Sequence, residues 1–129
     1  GAWLVDDTYN ANPSSLKAAL DVVRELEGER RLVLGDMGEL GAHALDAHRE
    51  AGREARAAGV TRLYAVGRLT PHAVETFGAG AEWFPDVQSL AARARTELAP
   101  GVVVLVKGSR SNRLERVVDA LVAPSEQAS

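Results

Sequence analysis

The sequence predicts an open α/β sheet, mostly parallel and Rossmann-like, with helices on both faces. Three observations lead there. Short apolar runs alternate with helical stretches along the chain. The runs lack a clean period of two, which is how strands covered on both faces read. Polar loops follow directly on the runs, as at Asp6-Asp7, Gly35-Asp36 and Lys107-Gly108.

Each element has its own reason. Trp3 to Asp6 reads as a buried strand. Asn12 is a good N-cap and Pro13 suits the first helical position, where a missing N–H costs nothing. Leu16, Ala19, Leu20, Val23 and Leu26 recur at helical spacing, and Gly28 closes that stretch. Arg31 to Leu34 is a second strand, ended by Gly35. Ala44 to Ala58 reads as a helix whose stripe of Ala47, Ala51, Ala55 and Ala58 permits close approach to a sheet. Arg62 to Val66 is a third strand, ended by Gly67. Pro71 to Phe77 is a short helix and Glu82 to Phe84 a brief strand. Asp86 caps a helix from Val87 to Leu98, and Pro100-Gly101 is a turn. Val102 to Val106 is five apolar residues in a row. Asn112 to Val122 is the last helix, with Leu114, Val117, Val118 and Leu121 inward.

Bulk composition narrows the classes. A chain of 129 residues with 46% hydrophobic residues suits one domain over 1–129 with a real core, and residues 124–129 read as a frayed tail. A net charge of -3 argues against a nucleic-acid surface. No apolar run approaches the roughly 20 residues of a membrane span. Nothing reads as a signal peptide, which fits a cytoplasmic setting. The absence of cysteine removes disulfides, thiolate metal sites and a thiol nucleophile. With no initiator Met and a strand almost at residue 1, the expectation is a domain cut from a longer chain.

In open α/β sheets, ligands bind beyond the carboxyl ends of the strands, near a switch in strand order. The residues expected there are Asp6, Asp7, Thr8, Tyr9, Asn10 and Asn12, then Asp36, Met37 and Glu39, then Gly67, and finally Lys107, Ser109, Arg110, Ser111 and Asn112. Each has a plainer reading beside the functional one. Asn12 caps a helix, Asp7 forms a turn, and glycines 35, 38 and 41 shape the backbone. Lys107 stands apart, because a lysine directly after five apolar strand residues is driven toward the rim. With Arg110 it makes a compact positive pocket suited to a carboxylate or phosphate. His43, His48 and His72 have no metal-ligand spacing, and no metal site is expected.

Two absences matter as much. No Gly-x-Gly-x-x-Gly follows the first strand, and no Gly-x-x-x-x-Gly-Lys-Ser/Thr occurs anywhere. The chain therefore does not cradle a pyrophosphate or triphosphate in either of those ways. A polar rim without a phosphate loop suggests half of a site.

Three motifs carry a resemblance. Asp6-Asp7-Thr8-Tyr9-Asn10-Ala11-Asn12-Pro13 comes first. Leu34-Gly35-Asp36-Met37-Gly38-Glu39-Leu40-Gly41 follows, with His48 downstream, and then Val106-Lys107-Gly108-Ser109-Arg110-Ser111. In this order, over nearly the whole chain, they resemble the C-terminal domain of the Mur ligases, and specifically the MurF branch. Leu114 departs from the Met usual there, and Thr8 from Ser. The resemblance implies the third domain of a three-domain enzyme, inactive alone, closing on absent N-terminal and central domains. It implies ATP and Mg2+ held mainly by the central domain. It implies a reaction joining D-alanyl-D-alanine to UDP-N-acetylmuramoyl-tripeptide through an acyl phosphate, in peptidoglycan synthesis.

It also implies roles. Lys107 and Arg110, with Ser109, hold the dipeptide carboxylate or the developing charge. Asp36 shares that acceptor site and steers the attacking ammonium. Asp7, Tyr9, Asn10 and Asn12 face the nucleotide or the interdomain seam. His48 supports from behind. The rivals are the matching domain of another Mur or folylpolyglutamate-type ligase, which the Gly35–Gly41 motif argues against, and a free-standing small-ligand module.

Overall fold

The computed structural model describes residues 3–7, 12–38, 40–108 and 113–122, with the backbone alone for Trp3, Asp6 and Asp7. The elements in chain order are β1 (Trp3–Asp7), α1 (Pro13–Arg24), β2 (Glu29–Leu34), a 3-10 turn (Gly41–His43), α2 (Ala44–Ala57), β3 (Val60–Val66), α3 (Pro71–Phe77), β4 (Ala81–Phe84), α4 (Val87–Thr96), β5 (Val102–Lys107) and α5 (Glu115–Val122).

The strands form one five-stranded sheet in the order β1-β5-β2-β3-β4. Every pairing is parallel. The connections from β1 to β2, β3 and β4 step in one direction across the sheet, and the connection to β5 steps back. Right-handed crossovers then require α1, α2 and α3 on one face and α4 on the other. The core divides in the same way. Leu16, Leu20 and Val23 of α1, Ala51 and Ala55 of α2 and Phe77 of α3 pack with Leu32, Leu34, Leu63, Val103 and Leu105. Leu90 and Ala94 of α4 and Leu114, Val117 and Leu121 on the other side pack with Val33, Tyr64, Val66, Val104 and Val106. Alternation along β5 thus feeds both layers, and each fully buried leucine contributes roughly 1.5–3 kcal/mol.

Local chemistry sets the ends. Asn12 and Ser15 form a reciprocal capping box: Asn12 Oδ1 accepts from the Ser15 N–H at 2.9 Å, and Ser15 Oγ accepts from the Asn12 N–H at 3.0 Å. Asp86 caps α4 by accepting from the Ser89 N–H at 2.7 Å, which holds its carboxyl below the usual range.

Some boundaries differ from expectation. α1 stops at Arg24, short of Leu26, because Arg30 reaches back to cap it. The Arg30 guanidinium donates to Val23 C=O at 3.0 Å and Arg24 C=O at 2.8 Å. β2 starts early, at Glu29, whose N–H donates to Gly101 C=O at 3.2 Å. β5 runs one residue further than the apolar run, through Lys107. α5 begins at Glu115, preceded by Arg113 in the left-handed region at φ 56.

Candidate functional site

The carboxyl ends of β1, β5 and β2 lie side by side. Asp7 pairs with Lys107, Lys107 pairs with Leu34, and the Gly35 N–H donates to Lys107 C=O at 2.9 Å. At about 4.8 Å between strands, the three chain positions span on the order of 10 Å. β5 lies between two strands whose following helices, α1 and α2, occupy the face opposite α5. The strand order therefore switches on both sides of β5, and a crevice opens there in sheets of this kind. Asp7, Asp36 and Lys107 share this edge.

Asp36 is committed within the lobe. Its Oδ2 accepts from the Arg68 N–H at 2.8 Å, and its Oδ1 accepts from the Leu69 N–H at 2.9 Å and the Thr70 N–H at 3.2 Å. This ties the end of β2 to the loop after β3. Gly67 lies directly against the carboxylate: a Cβ there would sit 2.3 Å from Oδ1, and its φ of 131 also favours glycine. Expected from the sequence to steer an ammonium, Asp36 has a prior structural task that the sequence concealed.

His48 supports the same loop from α2. It is fully buried. The Met37 N–H donates to His48 Nε2 at 3.0 Å, and Nδ1 lies 2.7 Å from Ala44 C=O. The Nδ1–H tautomer satisfies both contacts. Met37, itself buried with Leu34 and Leu63, then holds the Gly35–Gly38 backbone to the core.

Lys107 is the buried member of this edge. It ends β5 at the rim, in the alternation of Val103 and Leu105, yet it is 1% exposed. It is engaged within the fold. A run of apolar residues does not reveal that burial. Asn12 is half-buried, with its side-chain oxygen spent on the α1 cap. Tyr9, Asn10, Ser109 and Arg110 lie outside the described residues, as do Thr8, Glu39, Ser111 and Asn112. No three His, Asp or Glu side chains gather as a metal-ligand set among the described residues.

Sequence reasoning passed over two residues at this edge. Arg68 is exposed on the loop after β3, and Trp83, on β4, donates its indole N–H to Gly67 C=O at 2.8 Å. The only local hint was Gly67 at a strand end; the pairing with Asp36 spans more than thirty residues and has no periodic signature.

A family model described as Mur ligase, glutamate ligase domain matches residues 1–110. The chain belongs to this family. As a Mur ligase domain it is 44% identical, over 92% of its length, to the UDP-N-acetylmuramoyl-tripeptide–D-alanyl-D-alanine ligase of Escherichia coli, of which it covers 26%. It is 32% identical over 96% of its length to the ligase of the same name from Buchnera aphidicola, covering 28% of that protein. It therefore spans about a quarter of the length of these curated relatives. The crystal structure of the MurF ligase of Thermotoga maritima in complex with ADP superposes with a TM-score of 0.80 at 30% identity, over 94% of this chain and 28% of that one. No helix among the described residues is long and apolar enough to cross a membrane.

Proposed function

We propose that this Mur ligase domain is the closing, acceptor-binding lobe of a cytoplasmic enzyme that joins D-alanyl-D-alanine to UDP-N-acetylmuramoyl-tripeptide with ATP. The observation that carries this is the 44% identity to the Escherichia coli ligase across nearly the whole chain. The partners are the preceding domains of the same chain, the dipeptide and the nucleotide-linked tripeptide. ATP phosphate and Mg2+ belong to the central domain.

In the reaction, the tripeptide carboxylate takes the γ-phosphoryl group of ATP and ADP leaves. The dipeptide amine attacks the acyl carbon, loses a proton, and phosphate departs as the amide forms. Negative charge concentrates at each stage, and fixed cations in a closed, dry site stabilise it best. Lys107 supplies such a charge from beneath the crevice, with Arg110 and Ser109 as its partners on the acceptor side for that developing charge. Asp7, Tyr9, Asn10 and Asn12 form the nucleotide-side seam. Asp36 and His48 hold the loops that shape the acceptor side.

The test is acceptor-dependent ADP release by the full-length enzyme. D-alanyl-D-alanine should support it, and single amino acids should not. Release driven by a single amino acid or glutamate would instead mark another ligase of the family. Lys107→Ala should lower kcat/KM for the dipeptide by tenfold or more, about 1.4 kcal/mol. Because Lys107 is buried, Lys107→Met, which keeps the bulk, controls for folding. Unchanged dipeptide kinetics in a folded Lys107→Met enzyme reject the lysine's role.

A further inference from the structure

The loop from Gly67 to Thr70 is held by three separate restraints. The Asp36 carboxylate receives the N–H groups of Arg68, Leu69 and Thr70 at 2.8, 2.9 and 3.2 Å. The Trp83 indole N–H clamps Gly67 C=O at 2.8 Å from β4. Gly67 packs on the carboxylate so closely that a Cβ would lie within 2.9 Å of both its oxygens. A loop fixed this firmly presents whatever it carries in one place.

What it carries is Arg68. The Arg68 side chain is exposed, and among the described residues it makes no ion pair or side-chain hydrogen bond. The loop's own amides are spent on Asp36, so the loop's means of binding an anion is the guanidinium and not its backbone. A guanidinium fork matches a carboxylate in two parallel hydrogen bonds. Its loop is tied to Asp36, two residues past Leu34, which pairs with Lys107 beside the strand-order switch.

We infer that Arg68 binds the terminal carboxylate of the acceptor, and that Asp36 is a positioning residue that acts through the loop bearing Arg68. The inference rests on the acceptor-binding reading above and deepens it. Lys107 then supplies buried charge, while Arg68 supplies exposed two-point recognition.

The experiment uses the full-length enzyme and two acceptors, D-alanyl-D-alanine and its C-terminal amide, which lacks the carboxylate. Arg68→Ala should raise KM for the dipeptide about tenfold or more, leaving KM for ATP within about twofold and kcat little changed, as for loss of uniform binding. The wild type should prefer acid over amide by a similar factor, and Arg68→Ala should lose that preference. Arg68→Lys should restore part of it. Asp36→Asn should raise dipeptide KM in the same way, with little further loss when combined with Arg68→Ala. An Arg68→Ala enzyme that keeps the acid-over-amide preference overturns the inference, as does an effect confined to KM for ATP. If the wild type uses another acceptor, the functional reading fails. The acid–amide comparison on that acceptor still decides the case for Arg68.

Discussion

Two glycines at the same edge have opposite physics. Gly67 sits at φ 131 with its α-carbon against the Asp36 carboxylate, so a side chain meets both backbone strain and a clash. Gly38 is exposed, has no atom within 4 Å of a Cβ position, and is not in the left-handed region. Gly67→Ala should therefore destabilise the lobe by about 1–3 kcal/mol. Gly38→Ala should change stability by no more than about 0.5 kcal/mol. Urea unfolding of the two variants checks the pair; a Gly67→Ala lobe as stable as wild type would show that Asp36 does not grip this loop. From sequence, Gly38 was expected to serve backbone shape and Gly67 to end a strand, because a glycine's letter carries no record of what stands beside it. The caps were legible for the converse reason. Asn12 with Ser15 and Asp86 with Ser89 act over three residues, where local order is enough.

Among the elements, α2 and α3 show how packing overrides propensity. The alanine stripe of α2 was expected to allow close approach to the sheet, and Ala51, Ala55 and Ala58 are indeed buried on that side. Gly52, one residue along, closes a second contact. A Cβ there would lie 2.1 Å from Thr76 Oγ1 and 2.3 Å from Ala73 C=O on α3. The Thr76 hydroxyl also donates to Arg49 C=O at 2.7 Å, which stitches the two helices together. Helix propensity alone favours Gly52→Ala by about 1 kcal/mol. Overpacking at a helix crossing costs about 1–3 kcal/mol. The clash should win, so Gly52→Ala should lower the urea midpoint; a raised midpoint would mean that the helices separate freely. Strand and helix positions were legible because apolar runs and helical spacing are local patterns. The crossing at Gly52, the reach of Arg30 to α1 and the burial of Lys107 were not, since each depends on residues brought near only by the fold.

At the scale of the whole molecule, the sheet divides its chemistry between edges and faces. The carboxyl edge carries the candidate site, and strand order brings Asp7, Lys107 and Gly35 together there. The face under α4 carries a polar network that serves stability. On that face Tyr64 is buried on β3 and donates to Glu97 Oε1 at 2.7 Å, just past the end of α4. Arg31 on β2 donates to Glu97 C=O from the side. Burial first, and then the bond to Glu97, push the Tyr64 phenol up to about 12. The folded state therefore keeps a proton that the unfolded chain releases near pH 10. Folded chains bind more protons across that interval, so stability is fully present below about pH 10 and falls as pH rises toward 12. For one such group the slope is at most about 1.4 kcal/mol per pH unit. Urea midpoints measured at steps from pH 8 to alkaline conditions should drop more steeply for the wild type than for Tyr64→Phe, which has no proton to lose at that position. Below the window, Tyr64→Phe should be the less stable of the two, because Glu97 loses its phenol partner. Parallel pH profiles for both proteins would place the alkaline loss in other groups and leave the Tyr64–Glu97 bond without a share in it.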